Sequence, residues 1–346
     1  MFIRVQLRLN SVLASQGAGN IMAQTRLAVI GAGQFGKNHC RVIRESEHAE
    51  LVAVVDIDAE RAGEAAGGSS AQPLTDYREL AGRVDAAIVA APTSVHQEIG
   101  CALLEAGIDV LVEKPIAPDL TAATRLVDAA ERWGRIVQVG YLERFNPAVV
   151  ELERRATLPL FFEIHRMNLY SPRSLDVDVV LDLMIHDVDI VLSLTRAEPA
   201  EIRAAGISIR SPKVDIANVR LQFPNGCVAN LTASRISTER VRKLRLFQPH
   251  QYLSLDYDRQ ALAVFTLSGV QGGDQGKEQI GFEQAAIQKM EPLKLQLEAF
   301  LDSVKTRSTP KCSGAAARQS LGAALAILDK IEEHSEVVSQ TVRGKP

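Results

Sequence analysis

The sequence predicts an α/β Rossmann domain, with a doubly wound parallel sheet, followed by an α+β domain built on a large, mostly antiparallel sheet. Two observations support this prediction. Short apolar runs alternate with helical segments from Arg26 to Gly140, and beyond Gly140 strand-like runs follow one another directly. Apolar strands separated by helices are typical of a parallel sheet that is covered on both faces. We therefore expect one domain over residues 25–143 and a second, which includes the C-terminal helices, over 144–346.

The strands predicted for the first domain are short runs rich in Val, Ile, Leu and Ala. They cover residues 27–30, 51–56, 86–91, 109–113 and 136–140. Between them, apolar residues recur with the period of a helix. The helices expected are 37–44, a segment from Thr93 or Ser94 to Ala106, and 119–133, which Gly134 ends.

The second domain begins at Asn146-Pro147, where the asparagine caps a helix and the proline takes its first position. Alternating apolar and polar residues then predict strands over 161–167, 219–223, 228–234, 241–247, 251–256 and 261–265. Asn225-Gly226, between the second and third of these, is a strong hairpin signal. We expect a loop over 268–281, which is rich in Gly and Gln, and closing helices over 293–305 and 315–333.

The composition argues against several classes of protein. The 346 residues carry a net charge of −3, which does not suit a protein that binds nucleic acid through a basic face. No apolar run approaches the roughly 20 residues that a membrane-spanning helix needs. The four cysteines form no C-x-x-C pair, so we expect free thiols, a reducing cytoplasmic compartment and no metal site.

Residues 1–24 stand apart from the fold predicted after them. They include Arg4 and Arg8, contain no acidic residue, and lack the compact apolar core and cleavage site of a secretory signal. An acid-free leader with arginines is compatible with a transit peptide. We favour an N-terminal extension that is disordered or lies upstream of a true start at Met22, because the first strand follows Met22 at once.

A glycine-rich turn follows the first predicted strand. The segment Gly31-Ala32-Gly33-Gln34-Phe35-Gly36 matches G-x-G-x-x-G at the junction of a strand and a helix. In that setting Gly31 permits a tight turn, Gly33 admits a pyrophosphate, and Gly36 allows close helix packing. The helix start adds free N–H groups and a partial positive charge. This pattern predicts a dinucleotide site that also includes Gln34 and Phe35.

The acid that ends the second predicted strand indicates which dinucleotide binds. Asp56 stands 20 residues after Gly36, where a carboxylate accepts hydrogen bonds from ribose hydroxyls. It would repel the 2′-phosphate of NADP, and neither Ile57 nor Asp58 offers a neutralising cation. NAD is therefore the expected cofactor. Arg61 lies close enough in sequence to keep NADP as an alternative.

Two further segments carry ionisable side chains in apolar surroundings. Glu113-Lys114-Pro115 ends a predicted parallel strand, where an ammonium group lies beside the cofactor and stabilises a developing alkoxide. On a helix, Asp182, His186 and Asp189 are spaced to share one face. A histidine there accepts the proton of a substrate hydroxyl. A buried structural histidine and a metal ligand are the alternatives.

These motifs, taken together and in this order, resemble the Gfo/Idh/MocA oxidoreductases, and the resemblance runs from about Arg26 to the C-terminal helices. It implies an NAD-dependent dehydrogenase in which Lys114, His186 and Asp182 are catalytic. It also implies cofactor contacts beyond the glycine turn, from Pro92, Thr93, His96, Glu113 and Lys114. Many members have glycine where this chain has Met184, which departs from the pattern of generic glucose or inositol enzymes.

Residues 140–147 and the sequence D-L-M-I-H-D at 182–187 resemble one subgroup more closely. Its members oxidise C3 of the sugar in UDP-N-acetylglucosamine, and an aminotransferase then acts on the ketone during synthesis of lipid A precursors. Arginines suit the diphosphate of such a substrate. The resemblance implies a homodimer or homotetramer and substrate contacts from Lys114, Arg144, Asn146, Arg166, Tyr170, Arg173, Asp182 and His186. The alternatives are another sugar, inositol or sugar nucleotide, or a non-catalytic regulator that binds NAD and sugar.

Overall fold

The computed structural model describes residues 24–170, 177–268 and 279–343. The strands of the first domain are β1 (Thr25–Ile30), β2 (Ala49–Val55), β3 (Gln72–Leu74), β4 (Ala86–Val89), β5 (Asp109–Glu113) and β6 (Val137–Gly140). They form one parallel sheet in the order β3-β2-β1-β4-β5-β6. The order reverses between β1 and β4, and ligands bind at the carboxyl ends of the strands at such a point. The predicted doubly wound sheet is therefore confirmed.

Helices connect these strands: α1 (Gln34–Arg44), α2 (Ala59–Ala66), α3 (His96–Glu105) and α4 (Leu120–Trp133). Alternate residues of β1 pack into two different apolar cores, Ala28 and Ile30 in one, Leu27 and Val29 in the other. Both faces of the sheet are thus covered, as the continuous apolar strands predicted. The Asp119 side chain caps α4, and Gly134 ends it in the left-handed conformation.

The strands of the second domain are β7 (Phe161–Leu169), β8 (Glu201–Ile207), β9 (Ile216–Gln222), β10 (Val228–Ser237), β11 (Val241–Gln248), β12 (Gln251–Asp256), β13 (Ala261–Ser268) and β14 (Gln279–Gln284). Their order is β14-β13-β12-β11-β7-β10-β9-β8. Within this second sheet, only the pair β7 and β10 is parallel among the described strands. The predicted mostly antiparallel sheet is confirmed.

Helices of the second domain pack on one face of this sheet. They are α5 (Pro147–Arg155), α6 (Ile185–Thr195) and α8 (Gly314–Arg343), and a π-helical turn, Val180–Met184, leads into α6. The remaining helix, α7 (Pro292–Thr306), packs instead on the first domain, where Leu297 and Phe300 share a core with β1. The C-terminal part of the chain therefore stabilises both domains.

Three edge strands were not predicted. β3 has only three residues, β8 alternates the charged residues Glu201 and Arg203 with Ile202 and Ala204, and β14 is exposed along its whole length. Each is held by backbone pairing to one neighbour, so none needs a strong apolar pattern of its own. The expectation of a loop over 268–281 is therefore wrong at Ser268, which ends β13, and from residue 279 onward. Residues 269–278, and most of the predicted extension at 1–24, lie outside the described residues.

No helix in the described ranges is long and apolar enough to span a bilayer. Cys40, Cys101, Cys227 and Cys312 are free thiols. Burial raises the pKa of Cys40 and of Cys227 to about 11, so both thiols are protonated at neutral pH.

Candidate active site

The glycine turn between β1 and α1 is closely packed at two of its glycines and open at the third. Gly31 has φ of +94°, and a Cβ atom there would lie 2.6 Å from the Ala90 carbonyl oxygen. A Cβ atom on Gly36 would overlap the carbonyl oxygen of Gly31. At Gly33, by contrast, nothing lies within 4 Å of the position that a Cβ atom would take. The open side of the turn is where a pyrophosphate can approach the backbone.

Asp56 lies directly beside this turn. Its Oδ2 accepts a hydrogen bond of 2.7 Å from the Ala32 N–H, and its Oδ1 accepts one of 3.0 Å from the Asp58 N–H. The adjoining cavity measures 620 Å³, and Gly33, Gln34 and Lys37 are among the residues that line it. Arg61, which kept NADP as an alternative, also lines this cavity but pairs with Asp58 at 3.3 Å. The geometry fits a dinucleotide whose phosphates lie at the turn and whose ribose reaches Asp56.

A second cavity, of 420 Å³, opens at the carboxyl ends of β4 and β5. Residues from both domains line it; those predicted to bind cofactor or substrate are Phe35, Pro92, Thr93, His96, Glu113, Lys114 and Asp182. His96 lies between two carbonyl oxygens, with Nε2 2.8 Å from Ala91 and Nδ1 3.0 Å from Pro115. Burial lowers its pKa. A neutral imidazole carries one N–H, so His96 donates a hydrogen bond to one of these two oxygens.

Lys114 joins the two domains at this cavity. Its Nζ donates hydrogen bonds to the Asp182 carbonyl oxygen at 2.7 Å and to Asp182 Oδ1 at 3.3 Å. The peptide bond to Pro115 is cis. Asp182 belongs to the π-helical turn before α6, and such turns are frequent at functional sites. The ammonium group is thus held at the boundary between the cofactor domain and the substrate domain.

His186 lies in the first turn of α6, near Lys114. Its ring packs edge-on against Tyr141, with centroids 6.0 Å apart, and its buried Nδ1 has no hydrogen-bond partner among the described residues. Burial, followed by the positive charges of Lys114, Arg166 and Arg242, holds the pKa of His186 well below its usual range. The imidazole is therefore neutral at neutral pH, and a neutral imidazole can accept a proton.

Two family models match this chain. One, described as "Oxidoreductase family, NAD-binding Rossmann fold", covers residues 25–141, and the other, described as "GFO/IDH/MocA C-terminal domain", covers 160–248. The chain belongs to the Gfo/Idh/MocA family. It is accordingly an NAD-dependent oxidoreductase that acts on a CH–OH group.

Relatives of this Gfo/Idh/MocA enzyme differ in how much of the chain they match. The chain is 33% identical over 317 residues to the UDP-N-acetylglucosamine 3-dehydrogenase of Acidithiobacillus ferrooxidans. That alignment covers 90% of this chain and 98% of the relative. The solved structure of GnnA, the dehydrogenase from that organism, matches with a TM-score of 0.84 over 90% of this chain and 99% of GnnA, at 32% identity. Inositol 2-dehydrogenase 4 of Saccharopolyspora erythraea is 34% identical, but over 55% of this chain and 58% of that protein.

Asp189, which the helical spacing places on one face with Asp182 and His186, is engaged within the protein. Its carboxylate accepts hydrogen bonds from Arg144 Nη1 at 3.2 Å and Ser320 Oγ at 3.0 Å. The π-helical turn at Val180–Met184 interrupts the regular helical period on which that spacing depends. Burial raises the pKa of Asp189 despite the nearby Arg144.

Three of the predicted substrate residues are engaged within the protein. Arg144 binds Glu153 and Asp189, and its side chain does not line the cavity. Asn146 caps α5 and donates to the Tyr257 carbonyl oxygen at 3.0 Å. Arg166, only 2% exposed, forms ion pairs with Glu143 and Asp187. These contacts assign structural roles, because buried polar groups need partners.

Of the two other predicted substrate residues, the structure describes only Tyr170, which directly follows β7. Tyr170 is exposed, and the guanidinium carbon of Arg210 lies 5.1 Å from the centre of its ring. Arg173 lies outside the described residues.

Sequence reasoning missed several residues of the site. Lys213 and Asp178 line the second cavity from the substrate domain, 3.7 Å apart. On α1, His39 Nε2 lies 2.8 Å from Glu113 Oε1, so this helix is connected to the E-K-P motif. None of these residues belongs to a recognisable motif, and only the fold brings them to the site.

Proposed function

We propose that this enzyme oxidises the C3 hydroxyl of the sugar in UDP-N-acetylglucosamine to a ketone, with NAD as hydride acceptor. The observation that carries the proposal is similarity to a UDP-N-acetylglucosamine 3-dehydrogenase across both domains, over 90% of this chain and 98% of that protein. The similarity to an inositol 2-dehydrogenase covers 55% of this chain. Function depends on the residues of the site and not on the fold alone, so similarity that extends over nearly the whole length of both proteins favours the nucleotide sugar.

The cofactor would be held by the first domain. Gly31, Gly33, Gln34, Phe35 and Gly36 would contact the pyrophosphate region, and Asp56 the ribose. We assign contacts near the nicotinamide to residues at the ends of β4 and β5: Pro92, Thr93, His96, Glu113 and Lys114. When bound, NAD accepts the hydride that leaves C3.

Lys114, His186 and Asp182 would handle the proton of the hydroxyl. The Lys114 ammonium donates a hydrogen bond to the oxygen that gains negative charge, an interaction that strengthens toward the transition state. The neutral His186 imidazole accepts the proton. Asp182 orients Lys114 through the 2.7 Å and 3.3 Å contacts.

The substrate assignment is tested by following NADH formation. We expect kcat/KM for UDP-N-acetylglucosamine to exceed that for free N-acetylglucosamine or myo-inositol by about 10²-fold or more, because a site built for the nucleotide loses those contacts with a truncated substrate. Substrate deuterated at C3 should transfer its label to NAD, and substrate deuterated at C4 should not. Faster turnover of myo-inositol, or transfer from C4, would overturn the proposal.

The lowered pKa of His186 predicts how kcat/KM depends on pH. A histidine whose folded pKa lies below the ordinary value of about 6.5 stays neutral as the pH falls through that value. We therefore expect kcat/KM to remain level through pH 6.5 and to decline only at lower pH. His186→Gln should lower kcat by about 10²-fold and remove that acidic decline. A wild-type decline centred at pH 6.5 or above would contradict the assignment of His186 as the base.

We also propose that the chain forms a homodimer or homotetramer through the uncovered face of the large sheet. A row of aromatic rings in contact with one another crosses five strands on that face: Phe161, Phe247, Tyr252, Phe265 and Phe282. Phe282 is 63% exposed, and an apolar row of this length is typical of a surface that another chain covers. Sedimentation equilibrium measures the molecular mass in solution and so tests this proposal. A monomer at micromolar protein concentration would overturn it.

A ketone at C3 is a substrate for aminotransferases. We therefore propose that one acts on the product, in the cytoplasm, as a step toward 3-amino lipid A precursors. Adding such an enzyme and an amino donor should draw the oxidation forward and yield the 3-amino sugar nucleotide. Failure of any aminotransferase to accept the product would count against this placement.

A further inference from the structure

Two arginines lie side by side beneath the helix that carries His186. Arg166 on β7 and Arg242 on β11 are register partners in the antiparallel pair. Both side chains belong to the face of the sheet that the helices cover, since Ile164 and Leu244, two residues away on each strand, are buried on that face. Both arginines also lie close enough to His186 for their charges to lower its pKa.

The charge of Arg166 is neutralised within the protein. Its Nε and Nη2 each donate a 2.8 Å hydrogen bond to the Asp187 carboxylate, and its Nη1 donates one of 2.9 Å to Glu143 Oε1. Its guanidinium also packs on the Tyr257 ring, 4.8 Å from the ring centre. Each of the three guanidinium nitrogen atoms of Arg166 therefore donates to a carboxylate within the protein.

Arg242 has far weaker partners. Glu143 is the only described carboxylate within 4.0 Å, at 3.9 Å from Nη1, and that oxygen already accepts from Arg166. Its Nη2 donates to Asn168 Oδ1 at 3.3 Å, and its buried Nε has no hydrogen-bond partner in the described part of the chain. Burial and the neighbouring Arg166 and Arg240 lower the pKa of Arg242, as expected for a guanidinium short of counter-charge.

A partly buried cation of this kind costs free energy unless an anion neutralises its charge. The Arg242 side chain remains 23% exposed, so a solute can reach it. A guanidinium group matches the geometry of phosphate oxygens and can bind two of them at once. Arg242 therefore has the position, the free donors and the unbalanced charge of an anion-binding residue.

We propose that Arg242 binds the diphosphate of the nucleotide sugar and so selects a charged substrate over a neutral sugar or polyol. This inference rests on the proposed function, in which C3 is oxidised near His186. The carbon that carries the diphosphate, C1, is separated from C3 by a single ring atom. A side chain that neighbours the reacting hydroxyl is therefore within reach of the phosphate next to the sugar.

The experiment measures binding of UDP to the NAD-loaded protein by calorimetry. Arg242→Gln should weaken UDP binding by roughly 10- to 100-fold, the range for loss of a charge-assisted hydrogen bond. Arg240→Gln is the matched control: it removes the same charge two residues away on the chain, from an exposed arginine paired with Asp258 at 2.6 Å. We expect it to change UDP binding by less than about threefold.

Three further readouts separate the possible results. NADH affinity and Tm should be the same in Arg242→Gln and wild type, which excludes general misfolding. Arg242→Lys, which keeps the charge but not the paired donors, should bind UDP with intermediate affinity. If wild type binds UDP yet does not oxidise UDP-N-acetylglucosamine, the proposed reaction fails and the anion site stands. Equal UDP affinity in wild type and Arg242→Gln, or no UDP binding by wild type, would overturn the role of Arg242.

Discussion

Replacement of Lys114 with methionine should lower kcat by about 10³-fold or more while the fold and NAD affinity remain close to wild type. The ammonium group is the donor best placed to stabilise an alkoxide at the cavity between the domains. Loss of one such donor costs about 10²- to 10³-fold, and impaired proton transfer adds to this loss. Methionine preserves the length and apolar stem of the side chain, so the cavity keeps its shape.

The stability of the Lys114→Met variant should change little. The lost ion pair with Asp182 is partly exposed, and Asp182, with 28% of its side chain accessible, stays hydrated without it. Pairs of this kind contribute about 0–1 kcal/mol. Thermal unfolding measures the stability of the variant, and NADH titration measures its affinity for the cofactor. Single-turnover experiments measure the rate of hydride transfer.

Lys213→Met provides a matched control. Lys213 lines the same cavity, but its Nζ is 3.7 Å from Asp178, and nearly half of its side chain is exposed. Its loss removes the same charge from the cavity without removing a donor to the reacting oxygen, so the expected loss of kcat is far smaller. Equal losses in the two variants would indicate a general electrostatic effect. A wild type with no turnover at all, unchanged by Lys114→Met, would favour the non-catalytic regulator.

The parts of the site that the sequence predicted are those with local signals. The turn 31–36, the acid Asp56 and the motif around Lys114 each depend on a few consecutive residues beside a strand end. A parallel sheet brings all its carboxyl strand ends to one edge, so the strand predictions also placed these motifs together. Asp182 meets Lys114 from the second domain, although 68 residues separate them, and the strand predictions do not account for this contact.

The roles of the individual arginines could not be predicted in this way. Whether an arginine binds substrate or a neighbouring carboxylate depends on partners far away in sequence: Arg144 pairs with Asp189 and Arg166 with Asp187. Both aspartates lie on α6, after a π-helical turn that a regular helical period does not reveal. Arg242, on a strand without a motif, is distinguished only by its lack of close carboxylates.

Gly36→Ala should have the largest effect on the structure of the cofactor site. Its Cβ atom would overlap the Gly31 carbonyl oxygen, a backbone atom of a residue whose N–H is held by the Val55 carbonyl oxygen at 2.8 Å. Overpacking costs about 1–3 kcal/mol, and a clash with backbone belongs at the upper end of that range. About 3 kcal/mol corresponds to a fall in Tm of roughly 6–12 °C for a domain of this size. NAD binding should be lost with the turn.

Gly33→Ala should weaken cofactor binding without disturbing the packing of the turn. Gly33 has φ of −68°, which alanine adopts without strain, and nothing lies within 4 Å of its Cβ position. The variant should therefore unfold at the wild-type temperature or slightly above it, since alanine reduces the freedom of the unfolded chain. NAD affinity should nevertheless fall at least tenfold, because the methyl group would occupy the space where the pyrophosphate approaches the backbone. Wild-type NAD affinity in Gly33→Ala would show that the cofactor does not cross the turn at Gly33, and the placement of the hydride acceptor beside Lys114 would then lose its basis.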